Sequence, residues 1–273
     1  MTDGATFPEP YILRRGRGVP LIVIHGNGVD HRLLLPLDDC FDDDQWERIY
    51  VDLPGFGRTP ALPGAGGLPE VAAWLVAVVG ELVGERPFAV LANSLGGLLA
   101  RHVVARFGHQ VIGMALIAPV VDPEPKKRTV PTKSVVERDD VLLASLAPDD
   151  REAFVAMAVR QTADCWEAFR DHALPGIRAA DEAAMARLGE RYFLEQVPEA
   201  GPERFTGPTV IVTGKQDHVV GYVDQVVLAD HYACATYAAL EDAGHNVHLE
   251  QPGAVSQLLR DWAGQVIAVT HSM

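Results

Sequence analysis

Phe88-Ala-Val-Leu-Ala-Asn-Ser-Leu-Gly-Gly97 is the stretch from which the rest of the chain can be read. Its first half, residues 88–92, is a short apolar run that reads as a strand buried on both faces. Residues 95–107 read as a helix that starts on Gly96-Gly97 and keeps Arg101 and Arg106 for solvent. Ser94 therefore stands on a sharp strand-to-helix turn that projects its hydroxyl above the sheet, and such a turn needs small neighbours. The helix start behind it offers unpaired N–H groups and positive potential.

Five further runs share this apolar, strand-like character: residues 19–25, 48–53, 111–118, 209–213 and 236–240. Strands apolar on both faces and alternating with helices predict a mostly parallel central sheet between helical layers, the α/β class. After Pro252 the apolar positions Val255, Leu258, Leu259, Trp262 and Val266 mark one helix face. Residues 71–83 are apolar nearly all round, so that helix should be deeply covered.

The rhythm breaks once. Residues 120–208 carry no convincing strand but show helical patterns at 134–146, 149–173 and 179–196, between Pro-rich joints. One strand-to-helix connection needs far less chain. The expected organisation is a core of residues 1–119 and 209–273, with residues 120–208 inserted as a helical cap or lid.

The 273 residues, 48% of them apolar, suffice for one large α/β domain or two small ones. With 23 Lys and Arg against 37 Asp and Glu the net charge is −14, which argues against a nucleic-acid partner. The short basic cluster Lys126-Lys127-Arg128 reads as a solvated loop. Cys40, Cys165 and Cys234 are far apart and lack CxxC spacing, so neither disulfides nor zinc are expected and the cytoplasm is the simplest location. The start, MTDGATFPEP, has neither a basic nor an apolar segment, and the longest apolar run, 71–79, is half a bilayer crossing; neither signal peptide nor membrane contact is expected. The acidic run Asp38-Asp39 with Asp42-Asp43-Asp44 lacks the glycine and glutamate of a calcium loop and reads as a solvated helix end. No cofactor or metal is implied.

Loops at the carboxyl ends of parallel strands hold the sites of such sheets. Ala92-Asn93-Ser94-Leu95-Gly96 resembles the nucleophile elbow of the α/β-hydrolases, Gly-x-Ser-x-Gly, with Ala92 in place of the first glycine. His25-Gly26-Asn27-Gly28 is similar to the family's His-Gly oxyanion loop, which implies that the N–H groups of Asn27 and Leu95 form an oxyanion hole; His25 itself reads as structural. Asp52-Leu-Pro-Gly-Phe-Gly57 resembles another family landmark, a turn without catalytic role. Gly214-Lys-Gln-Asp217 looks like the Gly-x-x-Asp acid loop, and Ala243-Gly244-His245 with Glu250-Gln251-Pro252 resembles the histidine loop. The order Ser94, Asp217, His245 is the family's own.

The resemblance implies a serine hydrolase working through an acyl-enzyme on a small molecule, most simply a small carboxylic ester. Ser94 is too weak a nucleophile without a base, a role that falls to His245 with Asp217 holding its tautomer. Asp122, after the fourth strand, is the competing acid and His248 the competing base. Asn93 is a candidate substrate contact, His31 lies either at the pocket rim or on the surface, and Phe154, Met157, Trp166 and Phe193 are possible lining residues. Carbon–carbon bond hydrolysis of a diketone-like substrate uses the same residues and lid and is the alternative. Peptidase and lactonase chemistry stay open, and a hydrolase-like ligand sensor with little turnover is the reading from another class.

Overall fold

Successive side chains of a strand point to opposite faces, and that alternation builds the core. In the computed structural model, which describes residues 7–201 and 204–270, β2 (Val19–Ile24) sends Ile22 and Ile24 into one apolar cluster and Leu21 and Val23 into another. The same division holds for β4 (Phe88–Asn93), with Phe88, Val90 and Ala92 on one side and Ala89 and Leu91 on the other. Helices α1 (Leu68–Val83) and α2 (Leu95–Phe107) cover the first face.

Seven strands form the central sheet: β1 (Ile12–Arg15), β2, β3 (Trp46–Val51), β4, β5 (Val111–Ile117), β8 (Thr209–Gly214) and β9 (Ala235–Leu240), in the order β1-β3-β2-β4-β5-β8-β9. All neighbouring pairs are parallel except the edge pair β1–β3. The expected mostly parallel α/β sheet is therefore present, and β1 is an addition to it. Helix α8 (Val223–His231) joins the first face, and α10 (Pro252–Thr270) covers the second with Val255, Leu259, Trp262 and Val266, all 2% exposed or less. The short α9 (Val247–Glu250) lies between β9 and α10.

Between β5 and β8 the chain forms β6 (Glu137–Arg138), α3 (Asp140–Ser145), α4 (Pro148–Met157), β7 (Arg160–Gln161), α5 (Ala163–His172), α6 (Leu174–Ala179) and α7 (Glu182–Glu190). The helical pattern over 149–173 is interrupted because Val159 is drawn into tertiary hydrogen bonds: its N–H donates to Glu250 and its carbonyl accepts from Val136. The two-residue strands β6 and β7 pair only with each other. Leu143, Phe154, Trp166, Phe169 and Leu174 form a third apolar cluster with Leu33 and Leu249 of the core.

Two polar expectations are overturned. Arg101 is 2% exposed rather than solvated: it pairs with Glu199 and donates to the Val120 carbonyl. Asp38 is buried at 7%, not part of a solvated end, and accepts from Arg48, Tyr50 and Arg15. Among the described residues no helix is long and apolar enough to cross a membrane.

Candidate active site

The end of β4 sets the site. Ser94 has φ 53 and ψ −119, a backbone state unfavourable for any residue with a Cβ. It is held there by main-chain bonds, its N–H donating to Ile117 and its carbonyl accepting from Gly97 and Val120. At Gly96 a Cβ would lie 2.4 Å from the Ile24 carbonyl, so only glycine lets α2 start this close to β2. Ala92, where the usual motif has glycine, is fully buried and in register with Ile24 and Leu116, so a methyl group fits. Leu95, the first residue of α2, carries one of the N–H groups a helix start leaves unpaired.

The loops after β8 and β9 meet the serine from the other side. A Cβ on Gly214 would fall 2.1 Å from the Ala243 carbonyl, so glycine allows the two loops to lie against each other. Gln216 fastens them, donating its N–H to the Ala243 carbonyl and accepting the Ala243 N–H on its side chain. This brings together the three residues expected from sequence: His245 Nε2 lies 3.0 Å from Ser94 Oγ, and Nδ1 lies 2.9 Å from Asp217. Asp217 is fully buried, and its other oxygen accepts the N–H groups of Val219 and Val220 at 2.8 and 3.0 Å. Ser94 and His245, at 7 and 5% exposure, stay accessible from a cavity.

The competing residues go elsewhere. Asp122 turns its carboxylate to the Glu124 N–H. His248 is fully buried, donates from Nε2 to the Leu33 carbonyl, and leaves Nδ1 without a partner; burial pushes its pKa down to about 4. His25 is structural, bonded through Nδ1 to the Gly26 carbonyl while Nε2 accepts the Leu53 N–H; burial lowers its pKa. His31 is at neither rim nor surface but lies buried against Asp52.

The cavity has a volume of about 470 Å³. Gly26, Asn27, Asn93, Ser94 and His245 line its core side. Met157, Phe169, Ile177 and Tyr192 come from the segment between β5 and β8. Asn93 thus borders the cavity, although its amide donates to the Ile117 carbonyl. Of the other aromatic candidates, Phe154 and Trp166 are packed in the third apolar cluster and Phe193 is 49% exposed.

Two residues escaped the sequence reading. Glu250 is 6% exposed and accepts the N–H groups of Gly244, Val159 and Arg160; burial raises its pKa against the pull of those bonds. The Glu250-Gln251-Pro252 string of the histidine loop marked its position but not this role. Arg128, expected in a solvated loop, is half-buried and lines the cavity. Asp30, His31 and Asp52 place ligand atoms within 4.8 Å of one another. That donor set is spent, because Asp30 holds the Arg32 guanidinium and Asp52 accepts from His31 and from the Arg58 N–H.

Comparison with known proteins agrees with this architecture. A pimeloyl-[acyl-carrier protein] methyl ester esterase of a Shewanella species is 32% identical over 117 residues, 43% of this chain. The chain spans 41% of the length of that relative, and 37% and 36% of two further Shewanella esterases of the same name. An (E)-2-((N-methylformamido)methylene)succinate hydrolase of Acinetobacter baylyi is 22% identical, covering 92% of this chain and 93% of its own. The crystal structure of an alpha/beta superfamily hydrolase from Oenococcus oeni superposes with a TM-score of 0.86 at 24% identity, covering 94% of this chain and 96% of its own. The family model for the alpha/beta hydrolase fold matches residues 19–252, and the chain belongs to that family.

Proposed function

We propose that this protein is a serine hydrolase that cleaves a small carboxylic ester through an acyl-enzyme. The observation that carries the reading is the unbroken hydrogen-bond chain from Ser94 through His245 to Asp217 at the floor of a mostly apolar cavity. Relatives named for ester hydrolysis support it. His245 takes the hydroxyl proton as Ser94 Oγ bonds to the ester carbonyl carbon, and the carbonyl electron pair moves onto oxygen. The N–H groups of Asn27 and Leu95 hold that oxyanion, each worth about 3 kcal/mol of barrier. The pair then returns, the carbon–oxygen bond breaks, and the departing alkoxide receives the proton from Nε2. Water, deprotonated by His245 in the same way, releases the acid. Asp217 fixes the imidazole tautomer and stabilises its cation.

Residues 120–208 act as a cap over the core of 1–119 and 209–273, excluding water from the reacting carbonyl. Three free cysteines, one of them exposed, fit a reducing compartment such as the cytoplasm.

A fluorophosphonate probe combined with chromogenic acyl esters of increasing chain length, and a diketone alongside, tests the proposal. The wild type is expected to label at Ser94 and to turn over a short ester, and Ser94→Ala to lose both, with kcat down about 10⁶-fold. Folded wild type that neither labels nor hydrolyses any ester overturns the reading in favour of a ligand sensor. Faster cleavage of the diketone moves it to carbon–carbon bond hydrolysis.

A further inference from the structure

The wall of the cavity carries one fixed positive charge. Arg128, which stands at the end of the short basic cluster, is half-buried there beside Tyr192. Three main-chain carbonyls hold its guanidinium: Asp122 accepts from Nε at 2.8 Å, Pro123 from Nη2 at 3.0 Å and Val219 from Nη1 at 3.3 Å. Carbonyls orient a guanidinium without neutralising it. The buried arginines Arg48 and Arg101 each meet a carboxylate, and half-buried Arg32 meets Asp30. Arg128 has no carboxylate within ion-pair distance among the described residues, although acidic side chains outnumber basic ones by 37 to 23. The acidic groups closest to it in sequence are engaged: the Asp122 carboxylate faces the Glu124 N–H, and Glu124 pairs with Lys127.

A half-buried cation without a counter-ion is an unmatched charge, and a carboxylate entering the cavity would complete it. The rest of the wall is largely aliphatic and aromatic, from Val29 and Leu33 to Phe169 and Ile177, and no Asp or Glu lines it. We propose that the ester received here bears a carboxylate at the end remote from the scissile bond, bound by the Arg128 guanidinium, with the apolar wall taking the chain between. This rests on the ester-hydrolase reading above and narrows its substrate class to hemiesters or related esters of dicarboxylic acids. The planar fork of arginine suits a carboxylate, and its single charge matches a monoanion. The phenol of Tyr192, which burial pushes up to about 12, stays a neutral hydrogen-bonding neighbour for that group.

The test compares kcat/KM for two matched series: p-nitrophenyl hemiesters of linear dicarboxylic acids, and p-nitrophenyl esters of monocarboxylic acids of equal length. Wild type is expected to prefer a hemiester of one chain length by about 10- to 100-fold, the worth of a charge-assisted hydrogen bond. Arg128→Gln should cut kcat/KM on that hemiester about tenfold more than on its neutral partner, and Arg128→Lys, which keeps the charge but loses the fork, should fall between. A wild type that prefers the neutral series at every length overturns the inference, as does a hemiester preference that survives both substitutions. Either result leaves ester hydrolysis standing, whereas failure of both series together with an unlabelled Ser94 sinks the function itself.

Discussion

Two aspartate–histidine pairs lie buried in this fold, and their local geometry is nearly the same. Asp217 meets His245 at 2.9 Å beyond β8 and β9; Asp52 meets His31 at 2.8 Å beyond β3. Both carboxylates are fully buried, and both accept main-chain N–H groups as well as an imidazole. Burial pushes the Asp52 carboxyl up, but the bonds from His31 and the nearby His25 outweigh it and hold it below the usual carboxylate range. The difference lies at the far side of each ring. His245 presents Nε2 to the hydroxyl of a strained serine at a cavity floor, whereas the His31 ring packs 5.2 Å from Tyr11. A buried acid behind a histidine thus does not by itself make a base; in the proposed mechanism, the serine in front of His245 sets that pair apart.

Paired substitutions break or sharpen that contrast. Asp217→Asn is expected to lower kcat about 10⁴-fold, with a stability loss of about 1–3 kcal/mol from the buried donors it leaves poorly met. Asp52→Asn should cost a similar amount, about 1–3 kcal/mol from its own buried donors, while kcat changes less than tenfold. Steady-state kinetics beside thermal unfolding checks both; equal kinetic losses would erase the distinction between the pairs.

A third histidine extends the comparison into pH. His248 has no acid behind it, and its folded pKa, about 4, lies below the ordinary 6.5. The unfolded chain therefore binds a proton more readily between those values, so stability is full above pH 6.5 and falls as pH drops towards 4. The loss is up to about 3 kcal/mol at 1.36 kcal/mol per unit. Denaturant titrations across that window should show the slope, and His248→Asn should flatten it.

The smallest effect concerns the serine itself. Its φ of 53 is strain that glycine would not feel. Ser94→Gly should unfold about 1 kcal/mol later than Ser94→Ala, with both inactive. Equal stabilities would mean that the turn is relaxed.

The elements legible in the sequence are those whose signal is local. Six strands could be read because each is a short apolar run ended by a turn residue, and Ser94, Asp217 and His245 because each sits just past such an end. What escaped depends on partners distant in sequence. Arg101 looks like a solvent-facing helix residue until Glu199 arrives to pair with it. Asp38 belongs to an acidic run until Arg48 and Tyr50 fold over it. β1, two half-buried residues followed by two exposed arginines, has no apolar period to betray it and is specified by its register with β3. The break at Val159 follows from a carboxylate 91 residues away. Arg128 is held by the Val219 carbonyl as well as by two nearby ones, and that distant partner lies beyond any pattern in residues 126–128.

That distant carboxylate has a mechanical consequence. Glu250 grips Val159 and Arg160 overhead with one oxygen and, with the other, Gly244, the residue just before His245. Two stretches of backbone far apart in sequence thus hang from a single peg, so a shift of the chain at Val159 is transmitted through one side chain to the residue beside His245.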